Sequence, residues 1–266
     1  MVLQQGVEFH GLVVSRRNYR ENDMLVEILT DRFGFKTFFI RGAKKRGFRL
    51  ASAILPFSFG TYLGSINDQG LSFLDTIRDV AQYQNICQDI YLNAYATYLL
   101  SLGKVALKDD VASAIRWYQK LQKAVALIDE GFDAQIITNI IEVQLLECFG
   151  VKPFLESCVI CHETKFPFDF SEGYGGLLCQ KHWYLDTHRL QLDQRTIYYL
   201  RLFSVVDLDR LASIKVKAET KKRLAKTLDQ LYHDQVGVKI KAKEFLRQMQ
   251  NMPTLTLKSE LDEVDK

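Results

Sequence analysis

The chain has 266 residues, of which 47% are hydrophobic and 25% charged; this excludes disordered and low-complexity classes and leaves room for one or two packed cores. Lys and Arg number 35 against 32 Asp and Glu, a net charge of +3 that does not by itself announce a nucleic-acid binder. The 5 cysteines are too few for a disulfide-dense secreted scaffold, and an odd number would leave one unpaired.

The stretch from Met1 to Gly11 lacks the basic start, apolar run and small-residue cleavage site of a secretory signal, so a reducing cytoplasm is the expected address. The richest apolar stretch, Ile90 to Leu107, is interrupted by Asn93, Thr97, Ser101 and Lys104, so a soluble chain is expected. Between Val7 and Ile77 short β-rich runs predict strands at Val7–Val14, Met24–Leu29, Phe35–Ile40, Ile54–Tyr62 and Leu71–Ile77. Gly34, Gly42, Gly47, Gly64 and the Asn67 to Gly70 stretch supply turns, and the spacing suits a small antiparallel barrel. Pro56 places its segment at an edge or a bulge, because proline cannot donate to a central ladder.

After Arg78 the apolar period becomes helical. Ile86, Ile90, Tyr91, Ala94, Tyr98, Leu99 and Leu102 form one face, and Ala112, Ile115, Leu121, Val125 and Ile128 another. A third helix is expected from an N-cap at Asp133 to Phe149-Gly150. Helical periodicity resumes at Asp193–Val206, Ala218–Gln235 and Ala242–Met249, and a polar, frayed tail follows Pro253. The adjacent acids Asp109-Asp110 and Asp129-Glu130 fall at expected helix ends, where they read as caps rather than a two-metal site.

A cysteine segment interrupts the helices. Cys158 and Cys161 are two residues apart, and Cys179 and His182 repeat that spacing beyond a glycine-containing stretch. Two such turns supply four soft or borderline ligands, the set that a closed tetrahedral zinc site uses, with Phe166, Phe168, Phe170 and Tyr174 as candidate roofing. Four protein ligands leave no open position for a catalytic water. Two other readings stand beside it: Cys158-Val159-Ile160-Cys161-His162 fits the haem-attachment pattern, and Cys179 and His182 can be an incidental surface pair. Cys87 and Cys148 read as small core residues.

The charge is uneven. Arg32, Lys36, Arg41, Lys44, Lys45, Arg46 and Arg49 lie within one stretch that contains no acid, and Arg16, Arg17 and Arg20 follow the first strand. A basic run leaving a strand into a glycine-flanked loop can track a phosphate backbone without reading sequence. Phe33, Phe35, Phe38, Phe39 and Phe48 interleave with these cations and could either stack bases or fill the barrel. Residues 215–247 carry ten basic residues against four acids, and 79–157 carry six against ten. The C-terminal lysines read as a solvated helix face. No Gly-Lys-Ser/Thr phosphate loop, His-Glu-x-x-His pair or Gly-x-Ser-x-Gly elbow occurs, so a protein that is not an enzyme is expected.

The string Gly11-Leu12-Val13-Val14-Ser15-Arg16-Arg17-Asn18-Tyr19-Arg20-Glu21-Asn22-Asp23, then Thr30 to Gly34 and Arg41-Gly42-Ala43-Lys44-Lys45, resembles the bacterial RecO recombination-mediator family. The inserted Cys158 to His182 knuckle and the Tyr232 to Leu246 segment extend the resemblance over most of the chain. It implies an α+β, multi-domain protein: an OB-fold β-barrel over 1–78, and a helical domain over 79–252 interrupted by a zinc-binding knuckle at 156–184. An acidic tail would occupy 253–266. It also implies a nucleoid-associated mediator of DNA repair and homologous recombination that binds single- and double-stranded DNA and anneals complementary strands. Its partners would be RecR and the tail of single-strand-binding protein, with RecA loaded indirectly. Many family members have a fourth cysteine where this chain has His182, which is still an acceptable zinc ligand. The matching strings carry the DNA-binding role to Arg16, Arg17, Arg20, Arg41, Lys44 and Lys45; Lys36, Arg46 and Arg49 are added on charge alone. The competing expectation is an adaptor whose helical groove captures an acidic partner tail, with DNA contact secondary.

Overall fold

Five strands account for the first third of the chain: β1 (Leu3–Tyr19), β2 (Asp23–Thr30), β3 (Gly34–Ile40), β4 (Ser58–Asn67) and β5 (Ser72–Gln82). They are seen in a computed structural model that describes residues 3–165 and 167–251. The strand order is β1-β2-β3-β5-β4, closed into a barrel by the antiparallel pairing of β4 with β1. The pairings are antiparallel except β3 with β5, which meet in parallel at Phe38–Ser72 and Phe39–Phe73. The strand expected at Ile54–Tyr62 is displaced: residues 51–57 are turns, and Pro56 precedes β4 instead of bulging it. Its carbonyl is used all the same, accepting from Gln82 Nε2 at 3.0 Å. Gly60 lets the sheet close, since a Cβ there would fall 1.8 Å from the Asp79 carbonyl oxygen.

Side-chain alternation along β1 divides its residues between two cores. Phe9 and Val13 point into the barrel with Val26, Ile28, Phe38, Ile54, Tyr62 and Ile66, whereas Leu12 and Val14 face out into the helical core. Leu29 and Phe57 join that outer core, so the barrel packs on the helices through one wall.

The helices are α1 (Gln84–Gln88), α2 (Ile90–Leu107), α3 (Val111–Asp129), α4 (Ala134–Leu145), α5 (Gln194–Val205), α6 (Ala218–Leu231) and α7 (Lys241–Asn251). Aspartates start four of them. Asp89 accepts from the Tyr91 and Leu92 amides, Asp110 from Ser113, Asp133 from Ile136, and Asp193 from Arg195 and Thr196. Asp129 accepts from the Ile86 amide. Much of the acidity of 79–157 therefore does capping work. The third predicted helix ends earlier than expected, at Leu145, and tightens into a 3-10 turn (Leu146–Phe149) that Gly150 stops at φ 76°. Likewise α6 gives way to a π turn (Tyr232–Val236) ended by Gly237 at φ 71°.

Between α4 and α5 lies a three-stranded sheet ordered β6-β8-β7, made of β6 (Phe154–Cys158), β7 (Phe168–Ser171) and β8 (Gly176–Cys179). Phe168 and Phe170 are fully buried in the core shared with the helices, while Tyr174 is exposed, so the expected roof of aromatics is not assembled from these three. The two cysteines expected in the core are not deeply buried: Cys87 is exposed and Cys148 half-buried. Phe166 and the tail at 253–266 lie outside the described residues. Among the described residues, no helix is long and apolar enough to cross a membrane.

Candidate metal centre and nucleic-acid interface

Cys158 ends β6 and Cys161 follows in a turn closed by the His162 amide donating to the Cys158 carbonyl at 2.9 Å. His162 takes φ 58°, the left-handed conformation that turns the chain back toward the sheet. Cys179 ends β8, and His182 lies in the following 3-10 turn (Gln180–Leu185). The ligand atoms of Cys158, Cys161, Cys179 and His182 all lie within 4.8 Å of one another, and His162 is not among them. Cys161 Sγ is 3.7 Å from Cys179 Sγ, while His182 Nδ1 is 3.6 Å from Cys158 Sγ and 3.3 Å from Cys179 Sγ. A tetrahedron with metal–sulfur bonds of about 2.3 Å and metal–nitrogen bonds of about 2.05 Å has edges of about 3.8 and 3.6 Å. Three of the separations, 3.3 to 3.7 Å, lie close to those edges and the others fall within 4.8 Å, so small side-chain adjustments bring the four ligands onto one ion.

The electrostatics agree with that use. Burial alone would raise the Cys158 thiol, but hydrogen bonds from the amides of Cys179, Cys161 and Ile160 outweigh it and bring it down to about 6. Burial, followed by the neighbouring thiols, pushes Cys179 up. A cluster of thiols that ionises one member and resists ionising the next is one a cation relieves. The buried Asp169 ties the knuckle to the chain leading into α5, accepting from the Leu192 amide at 2.9 Å and Arg189 Nε at 3.1 Å.

The basic residues fall into three groups. Arg16, Arg17 and Arg20 are exposed at the end of β1 and in the β1–β2 turn, with Arg20 at φ 53°. Arg41, Lys44, Lys45, Arg46 and Arg49 are exposed in the loop after β3. These two clusters, over twenty residues apart in sequence, are joined by two hydrogen bonds: Gly42 N donates to the Asp23 carboxylate Oδ1 at 2.8 Å and Lys44 N to the Asn22 carbonyl at 3.0 Å. Among the described residues, none of these eight side chains makes an ion pair. Lys36 is set apart from them. It is half-buried, and its ammonium donates to the Asn67 and Asp68 carbonyls at 3.2 Å each, fastening β3 to the β4–β5 turn.

The C-terminal cations make the third group, and four of the ten basic residues in 215–247 form ion pairs with the helical part. Lys221 pairs with Asp133, Arg223 with Asp193 and Glu219, Lys243 with Glu142 and Asp229, and Arg247 with Asp229. Part of the alternation of acidic and basic segments is thus internal complementarity, while Lys215, Lys217, Lys222, Lys226, Lys239 and Lys241 stay exposed with no ion pair among the described residues. Another set of exposed cations without an ion pair among the described residues lies at the barrel's loop end.

The aromatics separate in the same way. Phe38 is buried inside the barrel, Phe33 and Phe48 pack against that interior, and Phe35 packs against the helical core. Phe39 joins neither core; it meets Tyr19 and Phe73, two rings not singled out in the sequence because neither lies in the basic run.

Residues 5–83 match a family model described as Recombination protein O N terminal, and residues 87–244 one described as Recombination protein O C terminal. The DNA repair protein RecO of Ligilactobacillus salivarius (strain UCC118) is 57% identical over 261 residues, covering 97% of this chain and 100% of the relative. That of Latilactobacillus sakei subsp. sakei (strain 23K) is 54% identical over 91% of this chain and 89% of its own, and that of Levilactobacillus brevis (strain ATCC 367) 52% identical over 92% and 94%. The chain belongs to the RecO family of DNA repair proteins.

Proposed function

We propose that this protein is a recombination mediator that binds single- and double-stranded DNA through its barrel, anneals complementary strands, and acts with RecR and single-strand-binding protein in loading RecA. The observation that carries the reading is the concentration of exposed, unpaired cations on two tethered loops at one end of the barrel. Such a surface neutralises phosphates irrespective of sequence and lowers the repulsion between two strands brought together. Annealing needs no covalent chemistry, so no catalytic group is assigned. The strand order and closure support reading the barrel as an OB-fold, a fold suited to oligonucleotides. The barrel, the helical part and the knuckle form the working units of the chain.

The ion we assign to Cys158, Cys161, Cys179 and His182 is a single structural zinc, because three thiolates and an imidazole are the donor set that zinc prefers. When bound it cross-links β6 to the turn after β8. The decisive experiment replaces Lys44, Lys45 and Arg46 together with Glu and follows strand annealing. Loss of annealing in a variant that melts like wild type is expected; undiminished annealing would sink the proposal.

A further inference from the structure

Three aromatic side chains lie in a row on the outer wall of the barrel. Tyr19 of β1 meets Phe39 of β3 with ring centroids 6.0 Å apart, and Phe39 meets Phe73 of β5 at 6.1 Å. Both contacts are edge-to-face, at 86° and 83°. None of the three belongs to the barrel core or the helical core, and Phe73 keeps 42% of its surface exposed. Tyr19 and Phe39 are half-buried, and Phe73 is the ring whose apolar face the fold leaves most open to a partner.

The register gives this row its surroundings. Phe73 and Phe39 are direct partners across β5 and β3, Phe39 pairs with Leu25 of β2, and Leu25 with Arg17 of β1. Arg17 stands two residues before Tyr19 and so shares its face, and Arg41 follows two residues after Phe39. The Arg20 guanidinium stands over the Tyr19 ring at 5.3 Å. The rings are therefore flanked by exposed cations that no carboxylate neutralises, while Asp75, two residues beyond Phe73 on the same strand, bounds the row with a like charge for phosphate.

We infer that the Tyr19–Phe39–Phe73 row is a stacking platform for the unpaired bases of single-stranded DNA. Phe73 is the leading ring, Phe39 braces it edge-on, and Arg17, Arg20 and Arg41 hold the adjoining phosphates. The reading rests on the DNA-binding function proposed above and adds to it a source of strand selectivity. A cation contacts the phosphates of a duplex and of a single strand alike. A ring needs a base face, which a duplex keeps inside its stack and a single strand presents.

The test compares wild type, Phe73→Ala and Phe73→Trp on oligothymidylate and on a duplex of equal length, across a salt series. Phe73→Ala is expected to bind oligothymidylate about five- to tenfold more weakly, the low end of what one lost base stack removes. Its duplex affinity should stay within about twofold, and its salt dependence should match wild type because no cation is removed. Phe73→Trp should keep the single-strand affinity and add a fluorescence signal that oligothymidylate quenches and duplex does not. Equal losses on both DNAs, or full single-strand affinity in a folded Phe73→Ala, would overturn the platform. If wild type binds neither DNA, the proposed function itself falls; if wild type binds and only the ring substitution is silent, the platform alone falls.

Discussion

Replacing Lys44, Lys45 and Arg46 with Ala removes three exposed cations that make no ion pair in the fold. Each phosphate neutralised changes the slope of log affinity against log salt by about 0.7 on single strands and about 0.9 on duplex. If all three side chains meet phosphates, the slope becomes shallower by about 2 on single strands and nearly 3 on duplex. A fourfold rise in salt should then weaken single-strand binding by wild type roughly twentyfold more than binding by the variant. Fluorescence anisotropy over a salt series measures both slopes. Lys36→Ala is the internal control: its ammonium is already held by the Asn67 and Asp68 carbonyls, so its loss should lower the melting temperature and leave the slope nearly unchanged. A triple variant with the wild-type slope would refute the assignment, whatever its absolute affinity, and so would a Lys36 variant whose slope shifts by a full contact.

The zinc assignment predicts about one ion per purified chain, and Cys161→Ser should release it and disorder the knuckle while leaving DNA affinity near wild type; a metal-free protein with an ordered knuckle contradicts it. Lys243→Met removes the cation 2.7 Å from the Glu142 carboxylate, which is only 1% exposed and keeps just the neutral donors Tyr98 and Asn139. The cost should be about 3–5 kcal/mol by denaturant unfolding, largely recovered on adding Glu142→Gln, and a single variant as stable as wild type would show the pair to be inert. Asp193→Ala removes the α5 cap at a cost of about 1 kcal/mol at neutral pH. Burial opposes ionisation of Asp193, but the Thr196 hydroxyl and Arg223 more than compensate and hold it below the usual carboxylate range. Its contribution is thus complete above the unfolded value of about 3.9 and fades as pH falls through the lower folded value. A cost that stays constant down through that window counts against the cap.

Local spacing made much of this protein legible. Short β-rich runs broken by turn residues locate four of the five barrel strands, and the fourth shifts because Pro56 lies in a turn and the strand begins only at Ser58. Asp133 and Asp193 were readable as helix starts because a cap acts within three residues. Cys158, Cys161, Cys179 and His182 were readable for the same reason, since two tight turns already set each ligand pair. Cys87 is exposed although its apolar spacing suggests a core position, because α1 is too short for that spacing to define a buried face.

What the tertiary structure alone decided was which groups are left without a partner. Lys36 and Arg41 look alike in a basic run, yet one is consumed by carbonyls more than thirty residues away and the other stays free. Lys221, Arg223, Lys243 and Arg247 look like a solvated face until the helices pack them on Asp133, Asp193, Glu142 and Asp229. Phe39 and Phe38 are neighbours in sequence, and the pleat sends one into the core and the other out to Tyr19 and Phe73. Charge and aromaticity are properties of residues, and sequence determines where they occur. Availability is a property of the fold, because it depends on through-space competition among groups that only strand register and helix packing bring together.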